Sequence, residues 1–181
     1  MNVTLNWTPG AGSSTQDVEY KLNTAGTWTT AVTGLLPATS TYTINGLLDN
    51  RIYNFRIATN CVGGSPAYSA PISQINIICP TVTTTVTDTS ASYSFNPIGG
   101  DVTAYTVDLM DSSGVTILAS QTPSISTPIT GTFSGLTAST TYKIRVTATA
   151  GTFDKACPLS TVTTSSVPSC NPPTGVTATL T

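Results

Sequence analysis

The four cysteines Cys61, Cys79, Cys157 and Cys170 are the side chains with the most specific chemistry in this chain of 181 residues. Histidine is absent, so Ser-His-Asp catalysis, Cys-His catalysis and metal sites with histidine ligands are excluded. The sequence has no CxxC pair, and the cysteine spacings do not fit a zinc ribbon. The cysteines therefore predict disulfide bonds, and such bonds predict an oxidising location.

Carboxylate pairs are the remaining option for acid–base chemistry or metal binding. Asp17 and Glu19 share one face of a predicted strand. We expect that face to be exposed to solvent, which makes the two residues ordinary surface acids. Asp108 and Asp111 lie near the turn 112–114, where their oxygens could help to hold calcium. A solvated turn is the simpler interpretation of that pair. We therefore expect no catalytic activity, no bound metal and no cofactor.

Trp28 and Tyr68 are the candidates for ligand binding. An exposed aromatic ring can stack on a sugar, and a surface glycan or protein would then be the partner. Packing of both rings against a sheet is the competing interpretation.

The composition excludes two classes of partner. Only 8% of the residues are charged, and Lys and Arg together number six. This leaves no basic stripe for nucleic-acid phosphates. No apolar run approaches the length of about 20 residues that a membrane span requires. The remaining polarity comes largely from threonine and serine, and abundant threonine favours strands over helices.

An internal repeat organises the chain, and repeats decide the fold before other signals do. The step Gly46-Leu47 and the later Tyr53 recur as Gly135-Leu136 and Tyr142, each 89 positions downstream. Upstream of them, apolar and polar residues alternate with the period of a half-buried strand around Trp7 and again around Phe95. Short alternating strands between frequent turn signals predict two β-sandwiches.

These residues resemble the fibronectin type III family. The resemblance lies in a strand carrying Trp7, a Gly-Leu step, and a tyrosine six residues after the leucine in an alternating strand. It implies an all-β fold of tandem immunoglobulin-like sandwiches, with Trp7, Phe95, Leu47 and Leu136 as structural residues. Tyr53 and Tyr142 would be tyrosine corners, whose hydroxyls bond to nearby backbone.

The repeat also suggests how the cysteines pair. Cys61 and Cys157 each follow a tyrosine strand, whereas Cys79 and Cys170 each open the next module. We therefore predict the bridges Cys61–Cys79 and Cys157–Cys170, which would stiffen the module junction. Cysteines at such positions are similar to those of modules in large surface proteins of Bacteroidota-type bacteria.

The predicted modules are 1–78 and 79–169, and the first lacks the strand that should precede Trp7. The segment 170–181 resembles such a first strand, with Val176, Ala178 and Leu180 on one face. Two explanations stay open. The chain is a piece of a longer array, or the segment is a donor strand that completes the first module of a neighbouring copy.

The predicted function is a structural or adhesive repeat segment of an extracellular surface fibre or large adhesin, whose partners are neighbouring copies or adjacent modules. One alternative is a virion component, such as a phage fibre or a capsid decoration that binds the host surface. Another is an accessory module of a secreted glycoside hydrolase.

Overall fold

The computed structural model describes residues 1–169, 174, 177 and 178, and the regular structure in them is entirely β. We call β1–β7 the first module and β8–β15 the second module. The first contains β1 (Val3–Asn6), β2 (Thr15–Leu22), β3 (Thr29–Leu35), β4 (Thr41–Ile44), β5 (Tyr53–Asn60), β6 (Ala67–Tyr68) and β7 (Ile72–Gln74). The second contains β8 (Thr83–Val86), β9 (Ser90–Phe95), β10 (Ala104–Met110), β11 (Ile117–Gln121), β12 (Ile129–Ser134), β13 (Thr141–Ala150), β14 (Phe153–Ala156) and β15 (Ser160–Thr163).

Each module is a sandwich of two antiparallel sheets. The larger sheet of the first module has the order β3-β2-β5, and both β6 and β7 pair with the free side of β5. The second module repeats this sheet as β11-β10-β13, with β14 and β15 on β13. The smaller sheets differ, because β4 and β1 form a pair whereas β12, β9 and β8 form a triplet.

The cores follow from the alternation of apolar and polar residues along the strands. In β13, every second side chain from Tyr142 to Ala150 is buried. Phe95 is buried in the same core and Leu136 packs partly buried against it. In the first module Leu47 is buried and Trp7 is half-buried against the core. Full burial of one large apolar side chain stabilises a fold by about 1.5–3 kcal/mol.

The two tyrosine corners have the geometry that the resemblance implied. The Tyr53 hydroxyl accepts a hydrogen bond from the backbone N–H of Leu48 at 3.2 Å. The Tyr142 hydroxyl accepts one from the N–H of Thr137 at 3.1 Å. Each bond ties the start of a central strand to the loop before it, which sets the angle at which the chain enters the sheet.

The junction between the modules is held by direct bonds and shared packing. Asp101 accepts hydrogen bonds from the backbone N–H of Ile52 at 2.7 Å and from the Arg51 guanidinium at 3.0 Å. The N–H of Asp101 donates to the carbonyl of Asn50 at 2.7 Å. The Ile52 side chain is buried in the core of the second module. The first module thus inserts one loop into the second.

Gly100 makes this close approach possible. It has a φ of +72°, and a Cβ atom there would lie 2.1 Å from the carbonyl oxygen of Asn50. Only glycine fits that position. In the sequence, Gly99-Gly100 is typical of any turn, and the bonding partners Arg51 and Asp101 give no signal of their own.

Candidate functional site

The edge of β1 is the feature that most distinguishes the two modules. On one side β1 pairs with β4, from Val3 opposite Ile44 to Asn6 opposite Thr41. The equivalent strand β9 pairs on both sides, with β12 and with β8. In the described part of the chain, no strand pairs with the second side of β1. The backbone groups on that side are therefore available to another strand.

An open groove runs along this edge. Near the junction it forms a cavity of about 640 Å³, lined by residues of β1 and by Gln74 and Asn76. Toward the opposite pole it continues as a cavity of about 400 Å³ that reaches the core side chains Leu5 and Phe55. In the second module, Val82 packs against the core beside β8. The groove thus lies where the second module places its first strand.

Burial along β7 shows the same difference. Gln74 faces Tyr53 across the sheet, and its counterpart Val162 faces Tyr142. Gln74 is exposed, whereas Val162 is 5% exposed. Asn76 is likewise exposed where its counterpart Thr164 is buried. In the second module, the segment that follows β8 lies against the residue after Thr164, because the N–H of Ser165 donates to the carbonyl of Thr87 at 2.9 Å.

The disulfide differs from the predicted pairing. Cys79 bonds to Cys157, with 5.6 Å between their Cα atoms, so the predicted bridges Cys61–Cys79 and Cys157–Cys170 are wrong. The bridge lies within the second module, because Cys157 is buried in the core of that module and Cys79 packs against the same core. Among the described residues Cys61 is free and exposed, and Cys170 lies outside them.

Cys61 is not the counterpart of Cys157, although each of them follows a tyrosine strand. The N–H of Cys157 donates to the carbonyl of Val146 at 2.8 Å, and the N–H of Ser69 donates to that of Ile57 at 2.9 Å. Since Val146 and Ile57 hold the same position in their modules, Ser69 is the true counterpart. Cys61 instead begins the hairpin loop after β5. The distance from the tyrosine shows the same mismatch, because Cys61 follows Tyr53 by eight residues whereas Cys157 follows Tyr142 by fifteen.

Trp28 and Tyr68 lie together on the outer face of the larger sheet of the first module. The Arg56 guanidinium lies 4.2 Å from the ring centre of Trp28 and 3.8 Å from that of Tyr68. Its Nε also donates to Glu19 at 2.6 Å. Such cation–π contacts contribute about 0.5–1 kcal/mol at exposed sites. Arg56 lies between the two rings, so that the three side chains form one stack. The sequence did not indicate this role of the arginine.

The carboxylates each have separate structural partners. Asp17 accepts hydrogen bonds from the N–H of Gly34 at 2.8 Å and from the Asn60 amide at 3.0 Å. Asp108 is buried and pairs with Arg145 at 2.8 Å. Neither is therefore a free acid placed beside a second carboxylate.

Asp111 organises the turn after β10. One oxygen accepts hydrogen bonds from the hydroxyl of Ser113 and from the backbone N–H groups of Gly114, Val115 and Thr116. These bonds, the one from Ser113 first, lower the pKa of Asp111 to about 2. Within the described residues, no three potential metal ligands cluster. The Asp111 oxygen that could have helped to hold calcium therefore already accepts four hydrogen bonds within the turn.

Of the predicted donor-strand residues, Val176 and Leu180 lie outside the described residues, and Ala178 is exposed and outside regular structure. Across the described part of the chain, no helix is long and apolar enough to cross a membrane.

Comparison with known proteins places the two modules in one family. The model of the fibronectin type III domain matches residues 1–75 and again residues 80–165. No curated protein matches the chain.

Two solved structures are similar to this chain. A segment of two fibronectin type III domains from chicken tenascin is 15% identical, with a TM-score of 0.59 over 90% of this chain and 92% of that one. The FN1–FN3 domains of chicken CNTN1 are 18% identical, with a TM-score of 0.40 over 91% of this chain and 62% of that one. The family matches cover most of the sequence, and the chain therefore belongs to the fibronectin type III family, with two domains in tandem.

Proposed function

We propose that this chain is a non-enzymatic structural or adhesive segment of an extracellular fibre or large adhesin, of the kind found on bacterial surfaces. In this proposal, copies join head to tail by exchanging an edge strand. The observation that supports it most directly is the open edge of β1, where the second module holds β8. An unpaired edge is a template for pairing with another chain, and here it borders an open groove that reaches the core.

The strand that we propose for this edge is the segment 170–181 of a neighbouring copy. Its apolar residues Val176, Ala178 and Leu180 alternate with threonines, so that one face can turn toward the groove and the other toward solvent. An added strand gains affinity from main-chain hydrogen bonds and specificity from pockets for alternate side chains. Neighbouring copies of the chain are therefore the proposed partners.

The junction supports the mechanical part of the proposal. Ile52 is buried in the core of the second module, and Asp101 bonds to the loop that carries Ile52. A joint with shared packing resists bending better than an exposed linker, which suits a spacer or a fibre. A head-to-tail contact that does not close on itself builds an open filament.

The proposed setting has its own support. The disulfide between Cys79 and Cys157 is of a kind that persists in oxidising compartments. Tandem domains of this family also suit a scaffold whose recognition, where present, lies in its loops.

The test measures assembly by light scattering in buffer without an added oxidant or reductant, so that the Cys79–Cys157 disulfide stays intact. We expect oligomers for the whole chain and monomers after deletion of 171–181. A double substitution of Val176→Asp and Leu180→Asp should also give monomers. Its matched control, Thr177→Asp with Thr179→Asp, places the same charges on the other face and should assemble normally.

Two results would overturn the proposed assembly. If the whole chain is monomeric, the proposed head-to-tail contact does not exist. If the oligomers are unchanged after the deletion, strand exchange is ruled out. Electron micrographs of the native material should show fibres, and free monomers there would contradict the proposed role.

A further inference from the structure

We propose that the outer face of the larger sheet of the first module binds an acidic oligosaccharide, in which one sugar carries a carboxylate. The site consists of Lys21, Trp28, Arg56 and Tyr68, and we call it the outer-face site. The inference goes beyond the proposed assembly and does not depend on it, because the site needs no second copy of the chain.

The sheet brings these four side chains to one face. Arg56 on β5 lies opposite Glu19 on β2, and Lys21 follows Glu19 by two residues, which places it on the same face. Tyr68 on β6 lies beside Arg56, because β6 pairs with the other side of β5. Trp28 directly precedes β3, and its ring lies against Arg56. The guanidinium is thus held between two rings.

The Tyr68 ring offers an open face to a ligand. The Arg56 guanidinium covers one face of this ring, with its central carbon 3.8 Å from the ring centre. Tyr68 is nevertheless 51% exposed, so the opposite face is open to solvent. The face of an aromatic ring carries partial negative charge, and the C–H groups of a sugar carry partial positive charge. A sugar ring can therefore stack on Tyr68.

The hydrogen-bond donors beside the rings are unused. Arg56 donates from Nε to Glu19 at 2.6 Å, and within the part of the chain that the structure describes its two terminal nitrogens have no acceptor. Every buried side-chain nitrogen among those residues has a partner, so the terminal nitrogens of Arg56 reach solvent. They form the fork that holds a carboxylate by two parallel hydrogen bonds. The site can therefore bind a planar anionic group.

The local charge also favours an anion. The Lys21 Nζ atom lies 5.1 Å from the centre of the Trp28 ring. Glu19 neutralises Arg56, whereas Lys21 has no ion-pair partner among the described residues. One positive charge is therefore left at the site, although the chain as a whole has a net charge of −2. An acidic ligand complements this charge, and a neutral sugar does not.

The second module shows how the same arginine position is used where no ligand is expected. Arg145 lies opposite Asp108 as Arg56 lies opposite Glu19. Arg145 donates to Asp108 from Nε at 3.3 Å and from one terminal nitrogen at 2.8 Å. The acid of its own module thus occupies part of the Arg145 fork, whereas the whole end of the Arg56 fork is available.

The aromatic stack is not needed to build the sheet. In the second module Ala156 holds the position of Tyr68 on the neighbouring strand, and the buried Met110 holds the position of Lys21. The larger sheet forms there with the arginine and its acid alone. The ring and the second cation are therefore additions to the first module, and ligand binding explains why they are exposed.

The spacing within the stack determines the size of the ligand. A sugar on the open face of Tyr68 lies about 3.5–4 Å from the ring, and the Arg56 guanidinium lies 3.8 Å away on the opposite face. The carboxylate of a uronic or sialic acid is bonded directly to a ring carbon, so one sugar cannot make both contacts. The acidic sugar and the stacked sugar are therefore neighbours in a chain, and the ligand is an oligosaccharide.

The experiment titrates the whole chain with oligosaccharides by calorimetry at low salt. The acidic probes are trigalacturonate and sialyllactose, and their neutral controls are galactotriose and lactose. We expect at least one acidic probe to bind about tenfold or more tightly than its neutral control, because a hydrogen bond to a charged group contributes that much. Binding of trigalacturonate alone assigns a uronic acid, and binding of sialyllactose alone assigns a sialic acid. Galacturonate as a single sugar should bind more weakly than its trimer.

Variants connect the binding to the outer-face site. Arg56→Lys keeps the charge but removes the fork, and it should weaken binding about tenfold. Tyr68→Ala should weaken binding about fivefold or more, whereas Tyr68→Phe keeps the ring and should bind like the unmodified chain. Arg145→Lys is the matched control, because it makes the same change on the second module, and it should leave binding unchanged. Circular dichroism verifies that each variant is folded.

Three results would overturn the inference. They are the absence of binding to both acidic probes, equal binding of acidic and neutral probes, and equal losses for Arg56→Lys and Arg145→Lys. Dextran sulfate provides a further check, because binding of this polymer that is tighter than that of both sugar probes and unaffected by Tyr68→Ala would indicate a general anion patch. None of these results bears on assembly, which light scattering measures separately.

Discussion

Removal of the Cys79–Cys157 disulfide should destabilise the second module strongly. The bridge closes a loop with a sequence separation of 78 residues. The chain-entropy relation for a loop of that length gives about 4.5 kcal/mol of stability at 25 °C. The two predicted bridges would have closed much shorter loops, each contributing about 3 kcal/mol. The perturbation is the double substitution Cys79→Ser with Cys157→Ser, or reduction of the unmodified chain.

Urea unfolding can assign the loss to one module. Both tryptophans, Trp7 and Trp28, lie in the first module, so their fluorescence reports that module, whereas far-UV circular dichroism reports both. With a urea dependence of about 1.5 kcal/mol/M, the loss lowers the midpoint of the second module by about 3 M. Cys61→Ser is the matched control, because substitution of an exposed residue shifts stability by about 0.5 kcal/mol or less.

The reasoning fails if the second module loses less than about 1 kcal/mol. It also fails if the loss is confined to the tryptophan transition of the first module. In that case Cys79 would be bonded to a cysteine outside its own sandwich.

Three further predictions concern single positions. Asp101→Ala should leave the buried N–H of Ile52 without an acceptor and cost about 1–3 kcal/mol, seen in urea as separate unfolding of the modules. Gly131→Ala should cost about 1–3 kcal/mol by circular dichroism, because a Cβ atom there would lie 2.3 Å from the Tyr93 hydroxyl. Asp111, whose pKa is lowered to about 2 from 3.8, should stabilise the turn fully above pH 3.8, lose this effect as the pH falls through 2, and titrate by NMR near pH 2.

Each of these predictions has a control. Arg51→Ala removes only the half-exposed partner of Asp101 and should cost less than about 1 kcal/mol. Gly26→Ala meets no atom within 4 Å and should leave the stability nearly unchanged. Asp111→Asn should remove the pH dependence of the turn. A midpoint near 3.8 for Asp111, equal losses for both glycines, or equal losses for Asp101 and Arg51 would contradict the structural reasoning.

The strands and the family could be predicted from the sequence because their signals are local. Alternation places Tyr142, Ile144 and Val146 on one face of β13 whatever surrounds it. The Gly-Leu step and the following tyrosine specify a corner within a few residues, as the bond from Leu48 to Tyr53 shows. Because the chain repeats, a strand or corner identified in one module predicts the equivalent strand or corner in the other.

The disulfide and the junction could not be predicted in the same way. Cys79 and Cys157 are neighbours only after the sandwich closes, and Cys61, which also follows a tyrosine strand, lies in a hairpin loop and not at the position equivalent to Cys157. Asp101 and Arg51 meet across the module boundary through a backbone approach that Gly100 permits. A charged residue in a loop has no periodicity that could reveal its partner.

The amino-acid sequence alone determined that this chain forms two threonine-rich sandwiches of the same kind, because strand periodicity and corner motifs act over a few residues. The tertiary structure decided which cysteines bond, how the modules join and that the β1 edge is open in the described residues. These features depend on contacts between segments far apart in the chain, and such contacts exist only once the sheets have packed.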